Sequence, residues 1–126
     1  MNVHAVITHD APRPIGPYSQ AVWCGDLLFV SGQLPLDPQT NTVVGATIEE
    51  QAQRAVDNLL AIVTSQGLAV DALVKTTVFL RDISHFPAFN TVYETALGGV
   101  RPARSVVAVS ALPKNVLVEI EAVACR

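Results

Sequence analysis

The sequence predicts a single α+β domain in which a mixed sheet of about six strands is covered on one face by two helices. Three observations lead to this fold class. A chain of 126 residues has room for one domain, here residues 1–126. Strand-like and helix-like segments follow one another in the order β-β-β-α-β-α-β-β. Because two helices cannot cover both faces of such a sheet, a two-layer sandwich follows.

The first third of the chain has the pattern of strands joined by turns. Apolar residues alternate over 3–7, as in a strand, whereas three prolines exclude regular structure over 11–17. Residues 19–24 and 27–31 are predicted to form a hairpin, since the glycine and aspartate between them favour a tight turn. Segment 36–44 is rich in turn-forming residues, and its Asn41 tolerates a left-handed backbone.

The first helix is predicted by its cap and its apolar spacing. Thr47 and Glu50 stand three residues apart, as in a capping box. Gly67 is a natural C-terminal stop. Between them, one apolar face follows helical spacing and is formed by Ile48, Ala52, Ala55, Val56, Leu59, Ile62 and Val63.

The second half adds a β-branched strand at 73–80, a second helix and two closing strands. Ser84 is predicted to cap this helix, with Pro87 in its first turn, and the glycines at 98–99 to end it. The closing strands are predicted near 103–110 and 116–124. The inner side of the helix should be lined by Phe86, Phe89, Tyr93, Ala96 and Leu97.

The chain carries few charges, and the last strand indicates which surface of the sheet is covered by a partner. Charged residues make up 15% of the sequence, against about 25% in an average soluble domain. Along 116–124, even-numbered positions are all apolar and should pack under the helices. Odd-numbered positions carry Glu119 and Glu121 on the opposite face. Because the chain has so few charges, water is a poor cover for this second face of the sheet, so we expect a homo-oligomer.

Composition excludes several classes of protein. A hydrophobic content of 50% excludes intrinsic disorder. Eight Lys and Arg against 11 Asp and Glu, with a net charge of −3, argue against a nucleic-acid binder. Apolar runs are far shorter than the roughly 18 residues of a membrane span, and 1–10 lacks the apolar core of a secretion signal. We therefore expect a cytoplasmic protein without membrane contact.

Cysteine and histidine usage predicts no metal site. Cys24 and Cys125 stand far apart with no paired-cysteine motif, which favours two reduced thiols. His4, His9 and His85 have no metal-ligand spacing.

Arg104 is the first candidate for a functional residue. It opens an otherwise apolar strand, where a guanidinium packs poorly but can bind a planar carboxylate through two parallel hydrogen bonds. The alternative is a structural salt bridge with Glu119 or Glu121. Position alone favours that alternative, because structural ion pairs outnumber those of active sites.

Four further residues are weaker candidates. Gly32 lets the backbone approach a ligand, and the Ser31 hydroxyl beside it is suited to an oxyanion, although an ordinary strand end is the commoner reading. Tyr18 follows a rigid glycine-proline turn and either flanks a ligand or fills a core edge. Asn90 lies inside a helix, where it either bonds a loop or faces solvent. No histidine-aspartate pattern supports Ser31 as a nucleophile.

Six segments, taken together, resemble the RidA/YjgF family of reactive enamine/imine deaminases. They appear in the family's order and cover nearly the whole chain. These segments are APxxIGPYSQ from 11, VSGQLPLDPQT from 30, KTTVFLRD from 75, NTVYE from 90, RPARS from 101, and LPK with VEIEA from 112. One departure is Val106, where family members often carry cysteine, and another is a shorter segment over 93–104. Both bear on substrate range.

The resemblance implies a chorismate-mutase-like fold, a homotrimer, and three sites in the clefts between subunits. It implies hydrolysis of 2-aminoacrylate, 2-aminocrotonate and related imines to 2-keto acids and ammonia, without metal or organic cofactor. The activity would be that of a 2-iminobutanoate/2-iminopropanoate deaminase. On the family pattern, Arg104 binds the substrate carboxylate and Glu119 orients water and moves protons. Tyr18, Ser31, Gly32 and Asn90 match further substrate-binding positions.

Two other functions remain as alternatives. A trimer that binds small 2-imino or 2-keto acids without turnover, or a chaperone-like module, would use Arg104 and Glu119 in the same way. A ribonuclease or translation inhibitor is the weaker alternative, because only two lysines and no basic run are available to hold phosphates.

Overall fold

The computed structural model describes residues 3–126 and places six strands in one sheet. In chain order the elements are β1 (Val3–Val6), β2 (Ala21–Cys24), β3 (Leu27–Gln33), α1 (Ile48–Ser65), β4 (Leu73–Leu80), α2 (Phe86–Leu97), β5 (Ala103–Ala108) and β6 (Val118–Cys125). The sheet order is β1-β2-β3-β6-β4-β5. Only β4 and β5 are parallel to each other, so the predicted mixed α+β sheet is confirmed.

The core lies between the two helices and one face of the sheet. On β6 the even-numbered residues are at most 5% exposed, whereas the odd-numbered ones are half-buried or exposed, as predicted. From α1, Leu59 and Ile62 are fully buried against this face, and from α2 so is Phe89. Burying side chains of this size contributes about 1.5–3 kcal/mol each.

Helix α1 begins as the sequence predicts. The Thr47 hydroxyl accepts a hydrogen bond from the Glu50 amide at 3.2 Å, and the Glu50 carboxylate accepts one from the Thr47 amide at 3.2 Å. Gly67 follows the helix with a φ of 77°, which only glycine adopts without strain. The predicted capping box is confirmed.

Helix α2 begins differently from the prediction. Asp82, not Ser84, supplies the capping side chain: its carboxylate accepts from the Ser84 amide at 2.9 Å and starts a short 3₁₀ turn over Ile83–His85. This turn continues into α2 at Phe86, so Ser84 contributes a donor and not an acceptor. Aspartate reaches the amide two residues ahead, which the sequence pattern missed.

The strand at the N-terminus is also confirmed, but its apolar side does not face the core. Val3 and Ala5 are exposed, whereas Val6 is buried, and Ile7 lies beyond the strand at 86% exposure. The alternation over 3–7 therefore correctly predicts a strand, and its apolar residues lie opposite the helices.

The face of the sheet away from the helices is rich in exposed apolar side chains. Leu27, Phe29 and Val107 are 39%, 46% and 43% exposed there, and within residues 3–126 no helix covers them. We refer to this surface as the open face. Its apolar character agrees with the sequence-based expectation of a covering partner.

Candidate active site

Arg104 lies in a cleft between α2, the segment after it, and β5. Its register partner across the parallel β4–β5 pair is Thr76, whose side chain is buried on the helix-covered face. Cross-strand partners share a face, so the Arg104 side chain also projects toward α2. We call this the arginine cleft; its lining residues are Asn90, Tyr93, Glu94, Gly99, Val100, Arg101, Pro102 and Arg104.

The Arg104 guanidinium is held by aromatic rings and not by a carboxylate. Its Cζ lies 4.8 Å from the centroid of the Tyr93 ring and 5.6 Å from that of Phe86. Residues 3–126 contain two ion pairs, and Arg104 belongs to neither. The salt bridge to Glu119 or Glu121 weighed from the sequence is therefore wrong within this chain, and the guanidinium keeps its donors for a ligand.

Asn90 adds an acceptor to the same cleft. It projects from α2, and its Oδ1 atom is buried without a hydrogen-bond partner among residues 3–126. A buried unpaired amide oxygen is costly and is usually satisfied by a ligand, water or partner. The arginine cleft thus offers a cation and a free acceptor.

Glu119 lies in a second cleft, formed where β3 departs from regular pairing with β6. The register between these strands shifts between Val30 and Gln33, at the Ser31–Gly32 step. The Glu119 carboxylate lies over Gly32, where a Cβ atom would stand 2.8 Å from Glu119 Cδ and closer still to Oε2. We call this the glutamate cleft; its lining residues are Ile15, Tyr18, Ser31, Gly32, Leu34, Pro113, Glu119 and Glu121.

The surroundings of Glu119 favour its protonated form. Burial raises the pKa of the Glu119 carboxyl above its ordinary value, and the negative charge of Glu121 adds to that rise. No lysine, arginine or histidine lines this cleft among the residues that the structure describes. A carboxyl with a raised pKa is suited to take up and return a proton near working pH.

Ser31 and Tyr18 border the glutamate cleft, and the hydroxyl groups of both residues are hydrogen-bonded within the chain. The Ser31 hydroxyl donates to the Ser19 carbonyl at 2.6 Å, and its amide donates to the Gln20 carbonyl at 2.9 Å. Tyr18 is 45% exposed, and its hydroxyl accepts from the Ile15 amide at 3.3 Å. Ser31 therefore ties the tyrosine-bearing segment to the strand end, and its proton is engaged within the chain.

The two clefts open on opposite faces of the sheet. Arg104 shares the helix-covered face with Thr76, whereas Glu119 has Phe79 as its register partner on the open face. The structure therefore brings Arg104 and Asn90 together, and separately brings together Tyr18, Ser31, Gly32 and Glu119. One copy of the chain does not place the two groups in a common cavity.

Residues 3–126 contain neither a candidate metal cluster nor a membrane-spanning helix. No three histidine, cysteine, aspartate or glutamate side chains come together as they would around a metal ion. None of the helices is long and apolar enough to cross a membrane.

The fold and these clefts define a small α+β protein with a cationic cleft and an anionic cleft on opposite faces of one sheet. The family model described as Endoribonuclease L-PSP matches residues 8–126. The chain belongs to this family, which is the YjgF/RidA family. The resemblance identified from six sequence segments is thus confirmed.

Similar proteins carry names of several kinds. A RutC family protein of Saccharolobus solfataricus is 49% identical over 119 residues, covering 94% of both chains. The 2-iminobutanoate/2-iminopropanoate deaminase of Escherichia coli is 45% identical over 124 residues, covering 96% of each. Among solved structures, a putative endoribonuclease of Thermotoga maritima superposes with a TM-score of 0.94 at 49% identity, covering 98% of this chain and 97% of the other.

A further solved structure is that of E. coli TdcF with bound serine. It superposes with a TM-score of 0.93 at 41% identity and covers 98% of both chains.

The sequence did not predict how three residues, Phe86, Tyr93 and Glu121, support the candidate groups. It assigned Phe86 and Tyr93 to the core, although their rings also support Arg104. Their seven-residue spacing puts both rings on one side of α2, which could have indicated a shared role. The sequence does not show, however, that β5 lies beneath them. Glu121 was placed on the correct face and considered only as a salt-bridge partner of Arg104, and it lines the glutamate cleft with Glu119.

Proposed function

We propose that this chain hydrolyses reactive 2-imino acids, including those derived from 2-aminoacrylate and 2-aminocrotonate, to 2-keto acids and ammonia. The observation that carries the proposal is that the chain presents, in two separate clefts, an arginine free of any carboxylate and a glutamate of raised pKa, which we propose are paired between subunits. Such a pair fits a small substrate that has a carboxylate at one end and an electrophilic C=N carbon at the other. The name of the E. coli relative, a 2-iminobutanoate/2-iminopropanoate deaminase, supports the same reaction.

We assign to Arg104 the role of binding the substrate carboxylate. Two parallel hydrogen bonds from a guanidinium fix a planar carboxylate in position and orientation. The unpaired Oδ1 of Asn90 in the same cleft is suited to accept a hydrogen bond from the substrate's N–H group. The substrate is then held at both polar ends, which lowers the entropy cost of the attack by water.

We assign to Glu119 the role of general base and general acid in the proton transfers. Its carboxylate accepts a proton as water adds to C2: the new C–O bond forms and the electron pair of C=N moves onto nitrogen. The carboxyl then returns this proton to nitrogen, which gives the neutral carbinolamine. Glu119 next moves the hydroxyl proton of the carbinolamine to nitrogen; the C=O bond forms as the C–N bond breaks, and the 2-keto acid and ammonia are released. Gly32 leaves the space that the Glu119 carboxylate occupies, and Tyr18 and Ser31 wall the cleft.

A complete site then requires more than one copy of the chain. Because the two clefts lie on opposite faces, the arginine cleft of one subunit would meet the glutamate cleft of its neighbour. The apolar open face, with Phe29 46% exposed, supports assembly through this surface. We assign the assembly to a homotrimer with the chorismate-mutase-like arrangement, in which each cyclic interface repeats the same head-to-tail contact.

The test is a coupled assay. Threonine dehydratase converts threonine to the enamine and imine, and the appearance of 2-oxobutanoate is followed with and without this protein. We expect acceleration by the wild-type chain, a loss of about 100-fold or more in kcat/KM for Arg104→Ala, and a comparable loss in kcat for Glu119→Gln. Arg126→Ala and Glu49→Gln, which change the same residue types away from both clefts, should retain activity.

Two outcomes would overturn this proposal. Binding of a 2-keto acid without any turnover would favour a module that only holds small carboxylates, in line with the bound serine of TdcF. Tight, salt-sensitive RNA binding by highly purified protein would favour the endoribonuclease activity that the description of the family model names. A net charge of −3 argues against the second outcome.

A further inference from the structure

Arg104 is supported by a buried hydroxyl pair that the proposed reaction does not use. The Tyr93 hydroxyl and the Thr76 Oγ1 lie 2.8 Å apart, and both residues are buried, at 8% and 0% exposure. Thr76 is the register partner of Arg104, and the Cζ atom of Arg104 lies over the Tyr93 ring. One hydrogen bond therefore fixes the ring on which the cation rests.

We infer that Tyr93, anchored by Thr76, is the positioning residue for Arg104 and sets the affinity of the site for the substrate carboxylate. This inference rests on the proposed function, because it takes Arg104 as the carboxylate-binding group. It assigns Tyr93 and Thr76 no contact with the reacting atoms.

The contacts of Arg104 explain why a ring is needed there. A salt bridge would orient the guanidinium equally well, but it would also occupy the donors that a ligand carboxylate requires. The face of an aromatic ring attracts a cation without accepting its in-plane N–H bonds. Tyr93 and Phe86 thus hold the charge in place while the edge of the guanidinium stays available.

The hydroxyl pair explains why this ring is tyrosine. Phe89 packs on Tyr93 with a centroid distance of 5.5 Å, so apolar contacts already seat one side of the ring. Apolar packing alone allows a ring to tilt, whereas the bond to Thr76 fixes its far end to β4. Thr76 on β4 is paired with Arg104 on β5. The hydrogen bond therefore holds the ring next to the strand position that carries the arginine.

The experiment compares Tyr93→Leu, Tyr93→Phe, Thr76→Val and the double variant Tyr93→Phe/Thr76→Val in the imine assay. Loss of the ring should raise KM, and the dissociation constant of 2-oxobutanoate, about tenfold with kcat within about twofold. Each single hydroxyl variant removes the bond and leaves a buried unpaired group, so a KM rise of about threefold is expected. The double variant also lacks the bond, so its KM should stay raised about threefold, whereas its stability should recover relative to the single variants because no unpaired hydroxyl remains.

Phe89→Leu is the matched control, because it removes a buried ring of the same helix that packs on Tyr93 but not on the guanidinium. It should lower stability and raise KM much less than Tyr93→Leu, since the bond to Thr76 still fixes the Tyr93 ring. An equal rise of KM in Phe89→Leu, or an unchanged KM in Tyr93→Leu, would overturn the inference. If Tyr93→Leu does not fold, the two hydroxyl variants and their double decide the question through the same KM pattern.

A direct readout separates this inference from the proposed function. The Cζ atom of Arg104 lies over the Tyr93 ring, so the Arg104 Nε–H proton should give an NMR signal shifted upfield by the ring current, and Tyr93→Leu should remove that shift. A wild-type chain that hydrolyses no imine, but shows this shift and the 2-oxobutanoate affinity pattern, would refute the deaminase alone. An Arg104 signal that is the same in wild type and Tyr93→Leu would refute the positioning role alone.

Discussion

The carboxylate of Glu119 occupies the space that a side chain at residue 32 would fill. A Cβ on Gly32 would stand 2.8 Å from Glu119 Cδ and 3.1 Å from its Cγ, both well inside ordinary contact. The absence of a side chain at Gly32 is thus what allows the carboxylate to lie against the irregular end of β3. This relationship couples a glycine to the position of the proposed acid–base group.

The first prediction follows from this contact. Gly32→Ala should displace the Glu119 carboxylate and lower kcat about 10- to 100-fold, the usual cost of misplacing a catalytic group by about 1 Å. Stability should change little, because the atoms met are the end of a flexible side chain. The measurement is kcat in the imine assay, with the free energy of unfolding from a urea titration.

Gly16→Ala is the control for that prediction. A Cβ on Gly16 would lie 3.6 Å from the Tyr18 ring, an ordinary contact, so near-wild-type activity is expected. Equal activity of Gly32→Ala and wild type would contradict the proposed role of Glu119.

The sequence predicted which elements carry the candidate residues better than how those residues are arranged. Strand parity placed Glu119 on the open face, and helical spacing placed Asn90 and Tyr93 on α2, because these periods are local properties of the backbone. Which face Arg104 takes depends on its pairing with Thr76, 28 residues away, and no local pattern encodes that register. The separation of the two clefts therefore emerges only from the folded sheet.

The sequence also predicted the helix caps only in part and did not predict the contacts that support Arg104. The Thr47 capping box was predictable because both partners lie within four residues. At α2, Asp82 and Ser84 are equally plausible caps by residue type, and the 3₁₀ turn decides between them. The aromatic support of Arg104 was missed since it joins β5 to a helix through tertiary packing alone.

The second prediction concerns pH. The working form of Glu119 accepts a proton, so activity should rise with pH as this group ionises, and its raised pKa places that rise above the range of an ordinary glutamate. Glu121→Gln removes the neighbouring charge, so it should move the acid limb of the kcat profile to lower pH. Glu49→Gln should leave the limb in place; an unmoved limb in Glu121→Gln would exclude coupling between the two carboxylates.

The same shift has a consequence for stability. Because the folded pKa of Glu119 lies above the unfolded value, the native state binds the proton more tightly. This contribution is fully present below the unfolded pKa and is lost as pH rises through the folded pKa. Urea titrations should therefore find that Glu119→Gln gains stability relative to wild type above this window. A difference that does not change with pH would contradict the linkage.

The third prediction tests the predicted start of α1. Thr47→Ala removes the acceptor for the Glu50 amide and should lower the free energy of unfolding by about 1 kcal/mol, with kcat and KM unchanged. Thr64→Ala, at an exposed position of the same helix, should cost nothing or stabilise slightly, because alanine is the better helix former. Equal losses in both variants, measured by urea titration, would mean that the cap contributes no specific stability.

The last prediction tests whether the site is shared between subunits. Arg104→Ala and Glu119→Gln chains are each expected to be inactive alone, because every site lacks one of the two groups. If Arg104 of one subunit meets Glu119 of the next, chains unfolded together and refolded at equal ratio should regain activity. In a cyclic assembly with random mixing, each site draws one residue from either chain independently, so roughly a quarter of the wild-type activity should return.

Two controls complete the mixing experiment. Mixing Arg104→Ala with a chain that carries both substitutions should restore nothing, since neither chain then supplies Arg104. Phe29→Asp places a charge on the open face, which should weaken assembly and abolish turnover even with both site residues intact. Sedimentation velocity measures the assembly. Full activity in a monomeric Phe29→Asp chain, or no recovery in the first mixture, would contradict a site built from two subunits.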